Sequence, residues 1–313
     1  MCTTCRLFAL VVPMGFVLVF LTSLRSEEAK ALEVRLGATR TLLRGGDPTA
    51  AEAALKIIAS IFYAQTGVRV HCVTTADGPA LAKEMEAGNL TLGLLPGIEL
   101  AWQGKRNATL QPMLLTCNEK TALRSFLIVR AEDPATSIAG LKDKRLSFPK
   151  MSFNHSFLFL DKAIREAQGN PAKFFAACQV ADNPDLALEA LLEGEADATV
   201  VDEVALEVYR DRKPGRAKRL RVLMESCKFP CAVLVCKADE AKSEAVKRIQ
   251  QGLSTAHERQ AGRQMLSLMR LSSFMPVTQE YEQLLKDVLK DYPEPFEPVD
   301  FTRISSKETT QQR

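Results

Sequence analysis

The sequence has little of what nucleic-acid binding requires. Aromatic residues make up 6% of its 313 residues, with one tryptophan, so a base-stacking surface is not expected. Its 41 basic and 38 acidic residues leave a net charge of only +3. Binding to a phosphate backbone usually shows as a clustered excess of Lys and Arg. Residues 213–219 carry four basic side chains, but the stretch also contains Pro214 and Gly215 and is interpreted as a surface loop. We therefore expect no nucleic-acid partner.

The sequence also lacks the common local signatures of catalysis. It contains no G-x-S-x-G elbow, no Walker loop and no G-x-G-x-x-G. Its three histidines, His71, His155 and His257, are scattered and give no H-E-x-x-H spacing. Catalytic groups can be far apart in sequence, so this excludes no enzyme. Still, nothing here points to catalysis, to a metal or to a cofactor.

The first 31 residues have the order of a targeting segment. Arg6 precedes a mostly apolar run over residues 7–21, and Ala29-Lys30-Ala31 matches an A-x-A cleavage pattern. This order is typical of a secretory signal peptide. We therefore expect residues 1–31 to be removed and the mature protein to be periplasmic or otherwise extracytoplasmic. The alternative is a retained anchor, because the run is only slightly shorter than a membrane span.

Six cysteines follow that segment: Cys72, Cys117, Cys178, Cys227, Cys231 and Cys236. Export would permit disulfide bonds. Cys227 and Cys231 flank Pro230, where a turn could bring the two sulfurs together. The alternative is that both are small buried residues, which is the interpretation of Cys72, Cys117 and Cys178. The Cys-x3-Cys-x4-Cys spacing has no nearby His or Cys, so zinc is not expected.

Strand and helix patterns alternate from residue 32 onward. Residues 32–38 alternate apolar and polar side chains, the period of a strand. Asp47-Pro48, Asp77 and Asn183-Pro184 are typical helix starts. Such alternation predicts an α/β fold with mostly parallel sheets flanked by helices, and the length favours two domains. Ligands of such sheets bind beyond the carboxyl ends of strands, so the loops after strands are the candidate sites.

One of these loops, residues 149–156, is rich in hydrogen-bond donors. It lies between a predicted strand and a predicted helix and carries Ser152, Asn154, His155 and Ser156. The first amides of a helix lack internal partners and lie at the positive end of its dipole. Together these groups predict an anion site. The alternative is ordinary capping, which needs only Ser152 or Asn154.

Other strand ends supply further candidates. Thr39 and Arg40 follow the first predicted strand, and Arg40 could provide positive charge for an anionic ligand. Pro96 and Gly97 break the third strand at the same kind of position. Asp202 ends a later strand and could meet a cationic group of a ligand or an arginine. A solvated carboxylate and a surface arginine are the plain alternatives.

Four stretches together resemble a known family: LAKEMEAGNLTLGLLPG (residues 81–97), LIVR through IAGLKDKRLSF (127–148), ALLEGEADATVVD (190–202) and FMPVT with Tyr281 (274–281). Their order and spacing are similar to those of the phosphate, phosphite and phosphonate-binding group of ABC-transporter periplasmic substrate-binding proteins. The resemblance implies the type 2 two-lobe fold, with residues 32–130 and 229–292 in lobe I, 131–228 in lobe II, and 293–313 as an extended tail.

The resemblance also implies a function without catalysis. A small oxyanion would bind between the lobes, a hinge would close them, and a membrane permease would recognise the closed monomer. The sequence departs from the family at the donor loop, where Phe153, Asn154 and His155 replace Ser and Thr, so the ligand is left open. Two alternatives are a sensor that reports to a membrane receptor or kinase, and an enzyme on the same scaffold, as in pyrimidine-precursor synthesis.

Overall fold

The computed structural model describes residues 32–42, 48–104, 110–118, 120–149, 154–269 and 271–295. The predicted signal peptide, Ser152 and the predicted tail beyond residue 295 lie outside these ranges. Within them, no helix is long and apolar enough to cross a membrane.

Strands and helices alternate through the described residues and are numbered in chain order. The strands are β1 (Glu33–Thr39), β2 (Arg69–Thr75), β3 (Leu92–Leu95), β4 (Leu110–Cys117), β5 (Ala122–Leu123), β6 (Ser125–Arg130), β7 (Arg145–Pro149), β8 (Ala177–Ala181), β9 (Ala198–Asp202), β10 (Leu220–Glu225), β11 (Phe229–Pro230), β12 (Val233–Lys237) and β13 (Ser273–Pro276). The helices are α1 (Pro48–Thr66), α2 (Gly78–Glu86), α3 (Gly97–Gln103), α4 (Asn154–Glu166), α5 (Pro184–Leu192), α6 (Glu203–Arg212), α7 (Pro214–Ala217), α8 (Glu244–Ser254), α9 (Gln260–Met269) and α10 (Gln279–Asp291).

The first sheet has the strand order β13-β4-β12-β3-β1-β2. β1 runs parallel to β2 and β3, whereas β12 and β13 pair antiparallel. One core packs α1 and α9 on this sheet and includes Phe62 and Met265. A second core includes Leu81 of α2 and Tyr281 of α10. Helices therefore flank the sheet, and the loops after β1, β2 and β3 share one edge.

The second sheet has the order β10-β6-β9-β7-β8. β7 runs parallel to β8 and β9, and β6 pairs antiparallel with β9 and β10. Phe157 and Leu160 of α4 pack in one core, and Leu188 of α5 packs in another. The prediction of mostly parallel sheets thus holds for the strand–helix–strand units. Each sheet as a whole contains both parallel and antiparallel pairs. The antiparallel pairs include the strands through which the chain passes from one sheet to the other, namely β4, β6, β10 and β12.

The two connections between the sheets form a small ribbon of their own. β5 pairs antiparallel with β11, so that Leu123 lies opposite Phe229 and Ala122 opposite Pro230. We call these two strands the crossing ribbon. The predicted turn at Pro230 is wrong, because Pro230 is extended in this pairing. An extended chain advances about 3.3 Å per residue, so Cys227 and Cys231 are carried apart rather than together.

Local signals in the sequence explain the helix boundaries. Asp77 and Asn183 accept hydrogen bonds from the third backbone amide beyond them, that of Ala80 and that of Leu186, each at 2.9 Å. Gly194 ends α5 with a φ of 75°, a conformation that costs glycine little. Asp77 and Asn183 are thus helix starts, as the sequence pattern predicts.

Two elements differ from the sequence prediction. The apolar stretch at residues 174–180 favours a strand, but β8 begins only at Ala177, because Phe174 and Phe175 instead pack edge to face in the core, with ring centroids 5.1 Å apart. The basic stretch at residues 213–219 contains the helical turn α7 rather than only a loop.

Candidate functional site

The carboxyl ends of β1 and β2 place two buried threonines side by side. Thr39 and Thr75 are register partners in the parallel pair, and both are buried. The Thr39 hydroxyl is hydrogen-bonded to that of Thr41, 2.8 Å away. The Thr75 hydroxyl is buried and has no hydrogen-bond partner. Leaving a buried hydroxyl unsatisfied costs about 1–3 kcal/mol, so this oxygen is a donor that a bound ligand would satisfy.

Arg40 lies at the same edge. Its backbone amide donates to the Thr75 carbonyl at 2.8 Å, and its side chain is exposed. The structure therefore brings Thr39 and Arg40, both predicted as ligand-binding residues, to the end of β2. The exposed guanidinium adds positive charge to a cluster that is otherwise composed of hydroxyls.

A buried carboxyl group, that of Glu99, lies under this cluster. Glu99 belongs to α3 and is 3% exposed. Burial raises its pKa from 4.5 to about 7, against hydrogen bonds from Thr41 and the Gly78 amide that lower it, while nearby Asp77 raises it further. One carboxyl oxygen, Oε2, has no hydrogen-bond partner. Burial therefore keeps the protonated form populated to a higher pH than in a solvated glutamate, and that form can donate a hydrogen bond.

Sequence reasoning missed Glu99. An acidic residue in the first turn of a helix is ordinarily a solvated group that the helix dipole favours. The signal that could have found it is Gly78: a Cβ there would lie 3.1 Å from the Glu99 Cβ and 3.3 Å from Oε2. Glycine lets the start of α2 lie directly against this carboxyl group.

Pro96 and Gly97 have a packing role at the same edge. Pro96 is the N-cap residue of α3, and Gly97 is its first residue. A Cβ on Gly97 would collide with the Cys231 carbonyl oxygen and would lie 2.7 Å from the Pro230 Cβ. Gly97 therefore allows α3 to lie directly on the crossing ribbon.

The start of α4 provides donors from the second sheet. Asn154 is the first residue of α4, is half-buried, and has a buried amide nitrogen without a hydrogen-bond partner. His155 is 5% exposed, and its ring centroid lies 5.3 Å from that of Phe229 in the crossing ribbon. Ser152 precedes this helix outside the described residues. Asn154 and His155 thus lie at the start of α4, and His155 contacts the crossing ribbon.

Ser156 makes an internal hydrogen bond. It is fully buried, and its hydroxyl lies 2.7 Å from that of Ser125, the first residue of β6. The Ser125 amide donates in turn to the Ser226 hydroxyl at 2.9 Å. This chain of hydroxyls joins α4 to both segments that connect the sheets. It fixes the orientation of the helix start that carries Asn154.

Asp202 combines a cap with a strand-end position. Asp202 is the N-cap residue of α6, and its Oδ1 accepts a hydrogen bond from the Ala205 amide at 2.8 Å. Across the β6–β9 pair it lies opposite Ser125. The carboxylate is therefore at the same strand-end edge as Ser125 and Ser156, and its charge would oppose an anion bound close to it.

The crossing ribbon brings the two sets of candidates near each other. Gly97, at the start of α3, packs on Pro230, and His155, at the start of α4, packs on Phe229. Phe229 and Pro230 are adjacent residues of β11. The helix starts that follow β3 in the first sheet and β7 in the second therefore contact the same two-residue strand.

Comparison with known proteins agrees with this architecture. The family model for the periplasmic phosphonate substrate-binding protein of ABC transporters matches residues 44–281. The chain belongs to this family. No curated protein matches it.

Solved structures of low sequence identity share the fold. The PhnD1 protein of Prochlorococcus marinus in complex with methylphosphonate is 13% identical, with a TM-score of 0.55 over 84% of this chain and 99% of that one. A binding-protein component of an ABC phosphonate transporter from Pseudomonas aeruginosa is 14% identical, with a TM-score of 0.53 over 83% and 87%. The Xanthomonas citri protein XAC2383 bound to ATP is 14% identical, with a TM-score of 0.56 over 83% and 96%.

Family membership confirms the predicted two-lobe type 2 periplasmic-binding fold and the role of a substrate-binding protein for an ABC importer. It implies an extracytoplasmic location, a small-molecule ligand and a membrane permease as partner. Within the described part of this phosphonate-family chain, no cluster of three His, Cys, Asp or Glu is placed to hold a metal ion. Its polar candidates are hydroxyl, amide, imidazole and carboxyl groups together with the exposed Arg40.

Proposed function

We propose that the ligand is a small phosphonate-like oxyanion that binds between the strand ends of the two sheets. The single observation that supports this most is the approach of both helix starts to β11: Gly97 packs on Pro230, and His155 packs on Phe229. A ligand beside the crossing ribbon would be within reach of groups from both sheets. PhnD1, which shares this fold, is in complex with methylphosphonate.

Neutral donors would carry most of the recognition. The Asn154 amide and the Thr75 hydroxyl are buried without partners, and each would gain a hydrogen bond from a ligand oxygen. The start of α4 lies at the positive end of the helix dipole, which favours an anion there. Hydrogen bonds to a charged group contribute about 1.5–3 kcal/mol each.

Glu99 would make binding depend on pH. Its neutral form tolerates a nearby oxyanion and can donate to it, whereas its ionised form repels it. With a pKa of about 7, Glu99 loses its proton in the neutral range, so affinity would fall as pH rises through that range. The ligand titrates as well, and Glu99→Gln isolates its contribution.

The lobes would follow the two sheets, so the expected boundary at residue 130 moves to the crossing ribbon, because β6 (Ser125–Arg130) pairs within the second sheet. One lobe would consist of residues 32–123 with 229–292 and the other of residues 124–228, with hinges near residues 122–124 and 228–230 rather than near 130–133. Ligand would close them by bending at these two crossings, and the permease would bind the closed monomer. The protein would catalyse no reaction and would reach its compartment by cleavage of residues 1–31. Small-angle scattering should show a smaller radius at saturating methylphosphonate; an unchanged radius would contradict hinge closure.

Calorimetric titration with methylphosphonate tests the site. Asn154→Ala and His155→Gln should each weaken binding about tenfold or more, and Ser152→Ala should weaken it without abolishing it. Asn89→Ala is the matched control, because Asn89 is exposed and its amide donates only to the Glu84 carboxylate. If all three site variants bind as tightly as the control, residues 152–156 only cap α4 and the proposed site is wrong.

A further inference from the structure

Two cysteine side chains meet in the core of the first sheet. Cys117 ends β4 and is fully buried, and Cys231 follows β11 and is 2% exposed. Their sulfur atoms lie 3.9 Å apart. Of the cysteines in the described ranges, this is the pair whose sulfurs are in contact, although it is not the pair that sequence spacing suggests.

The backbone register makes this contact a directly opposed pair. β4 and β12 are antiparallel with Leu115 opposite Val233, and the Thr116 amide continues the pairing by donating to the Ala232 carbonyl at 2.8 Å. One further step places Cys117 opposite Cys231. Opposed residues of antiparallel strands have Cα atoms about 4.5–5.5 Å apart, within the range of about 4.4–6.8 Å that disulfides use. Side-chain rotation can then bring the sulfurs to bonding distance without moving the strands.

We propose that Cys117 and Cys231 form a disulfide bond in the oxidising compartment of the exported protein. The oxidant is the disulfide of another protein or of a small molecule, which reacts by thiol–disulfide exchange and is called the donor below. A thiolate of the pair attacks the donor, forms a mixed disulfide and releases one donor thiol. The second cysteine then attacks the protein sulfur and releases the other. The two cysteines lose two electrons and two protons, and the donor becomes two thiols.

Either thiol can donate to the other across the 3.9 Å contact, so either cysteine can start this exchange. Both thiols are buried in the folded chain, so exchange takes place before the sheet closes over them or during its opening. Once formed, the bond is shielded from reductant by the same burial.

The bond has a defined place in the fold. β6 through β10, the whole second sheet, lie between Cys117 and Cys231 in the chain. The disulfide therefore ties the outgoing and returning segments together where they leave the first sheet. Other contacts already fix these positions: the Tyr281 hydroxyl donates to the Cys231 carbonyl at 2.8 Å, and the Ser272 hydroxyl to the Cys117 carbonyl at 3.0 Å. Bending between the lobes is then confined to residues beyond this tie.

Mass spectrometry of the purified full chain tests the bond. The protein is unfolded and refolded with oxidised and reduced glutathione, denatured without reductant, alkylated and digested. We expect a peptide pair linked through Cys117 and Cys231, and two fewer alkylated thiols than in the reduced protein. Thermal unfolding should occur roughly 10 °C higher for the oxidised form, because the bond closes a loop of about a hundred residues.

Variants keep the test decisive. Cys117→Ser and Cys231→Ser should each remove the difference between oxidised and reduced protein, whereas Cys227→Ser should preserve it. Full alkylation of both cysteines after oxidative refolding, or a bond to Cys227 instead, overturns the proposal. The inference rests on the extracytoplasmic location, which cell fractionation tests separately. Free Cys117 and Cys231 thiols in protein from the extracytoplasmic fraction would overturn the proposal, whereas protein found only in the cytoplasm would contradict the location.

Discussion

Replacing Glu99 by glutamine should make the protein more stable at neutral pH. The carboxyl group is 3% exposed, and burial raises its pKa from 4.5 to about 7. The folded state therefore binds this proton more tightly than the unfolded state. The resulting stabilisation is complete below about pH 4.5 and is lost as pH rises through about 7. The pKa change corresponds to about 3 kcal/mol. Glutamine keeps the shape and an acceptor for the Gly78 amide but never ionises.

Urea unfolding of both proteins between about pH 4.5 and pH 8 measures this effect. The free energies of unfolding should differ little at the acid end. The variant should gain up to about 3 kcal/mol over wild type at the alkaline end. Glu52→Gln, an exposed substitution in α1, should give no such trend. A constant difference between wild type and Glu99→Gln across the range would show that folding does not shift the pKa of Glu99, and the reasoning about its burial would fail.

Three further predictions concern other parts of the fold. Gly97→Ala should lower the free energy of unfolding by about 1–3 kcal/mol, because the added Cβ collides with the crossing ribbon. Gly215→Ala is the control and should change it little, because the space around Gly215 is open. Equal effects of the two substitutions in urea unfolding would contradict this packing. Asp197→Asn should cost about 1–3 kcal/mol at neutral pH, because hydrogen bonds from Arg145 hold the pKa of Asp197 well below its usual range. That difference should shrink as pH falls below about 4, where the unfolded wild type takes up the proton, and a gap that persists in acid denaturation curves would refute the role of the charge. Thr75→Val should weaken methylphosphonate binding about tenfold in calorimetry, because it removes a hydroxyl that donates to the ligand. Stability should not fall, because this buried hydroxyl has no partner within the protein. Unchanged affinity would exclude Thr75 from the site.

Much of the fold follows from local sequence signals. Asp77 and Asn183 are caps, and Gly194 is a stop, because backbone amides and left-handed turns impose requirements that few side chains meet. Strand pairing is different. The antiparallel partnership of β4 with β12 joins segments more than a hundred residues apart, and no local pattern specifies it. For that reason the sequence predicts parallel units well but not the mixed sheets.

The candidate site divides in the same way. Thr39, Asn154 and His155 were predicted because a strand end or a helix start is visible in sequence and makes nearby donors available. Glu99 was not, because its unusual property is burial, which arises only when α2 and α3 pack together. The meeting of Cys117 and Cys231 likewise depends on strand pairing. Burial and contacts that arise only from tertiary packing cannot be predicted from the spacing of residues along the chain.

A crystal structure of the protein with methylphosphonate would locate the ligand directly. We expect the phosphonyl oxygens within hydrogen-bond distance of Asn154 at the start of α4, with Thr75 at the end of β2 on the other side of the ligand. Methylphosphonate bound away from both strand-end edges, or a site left empty at saturating concentration, would contradict it.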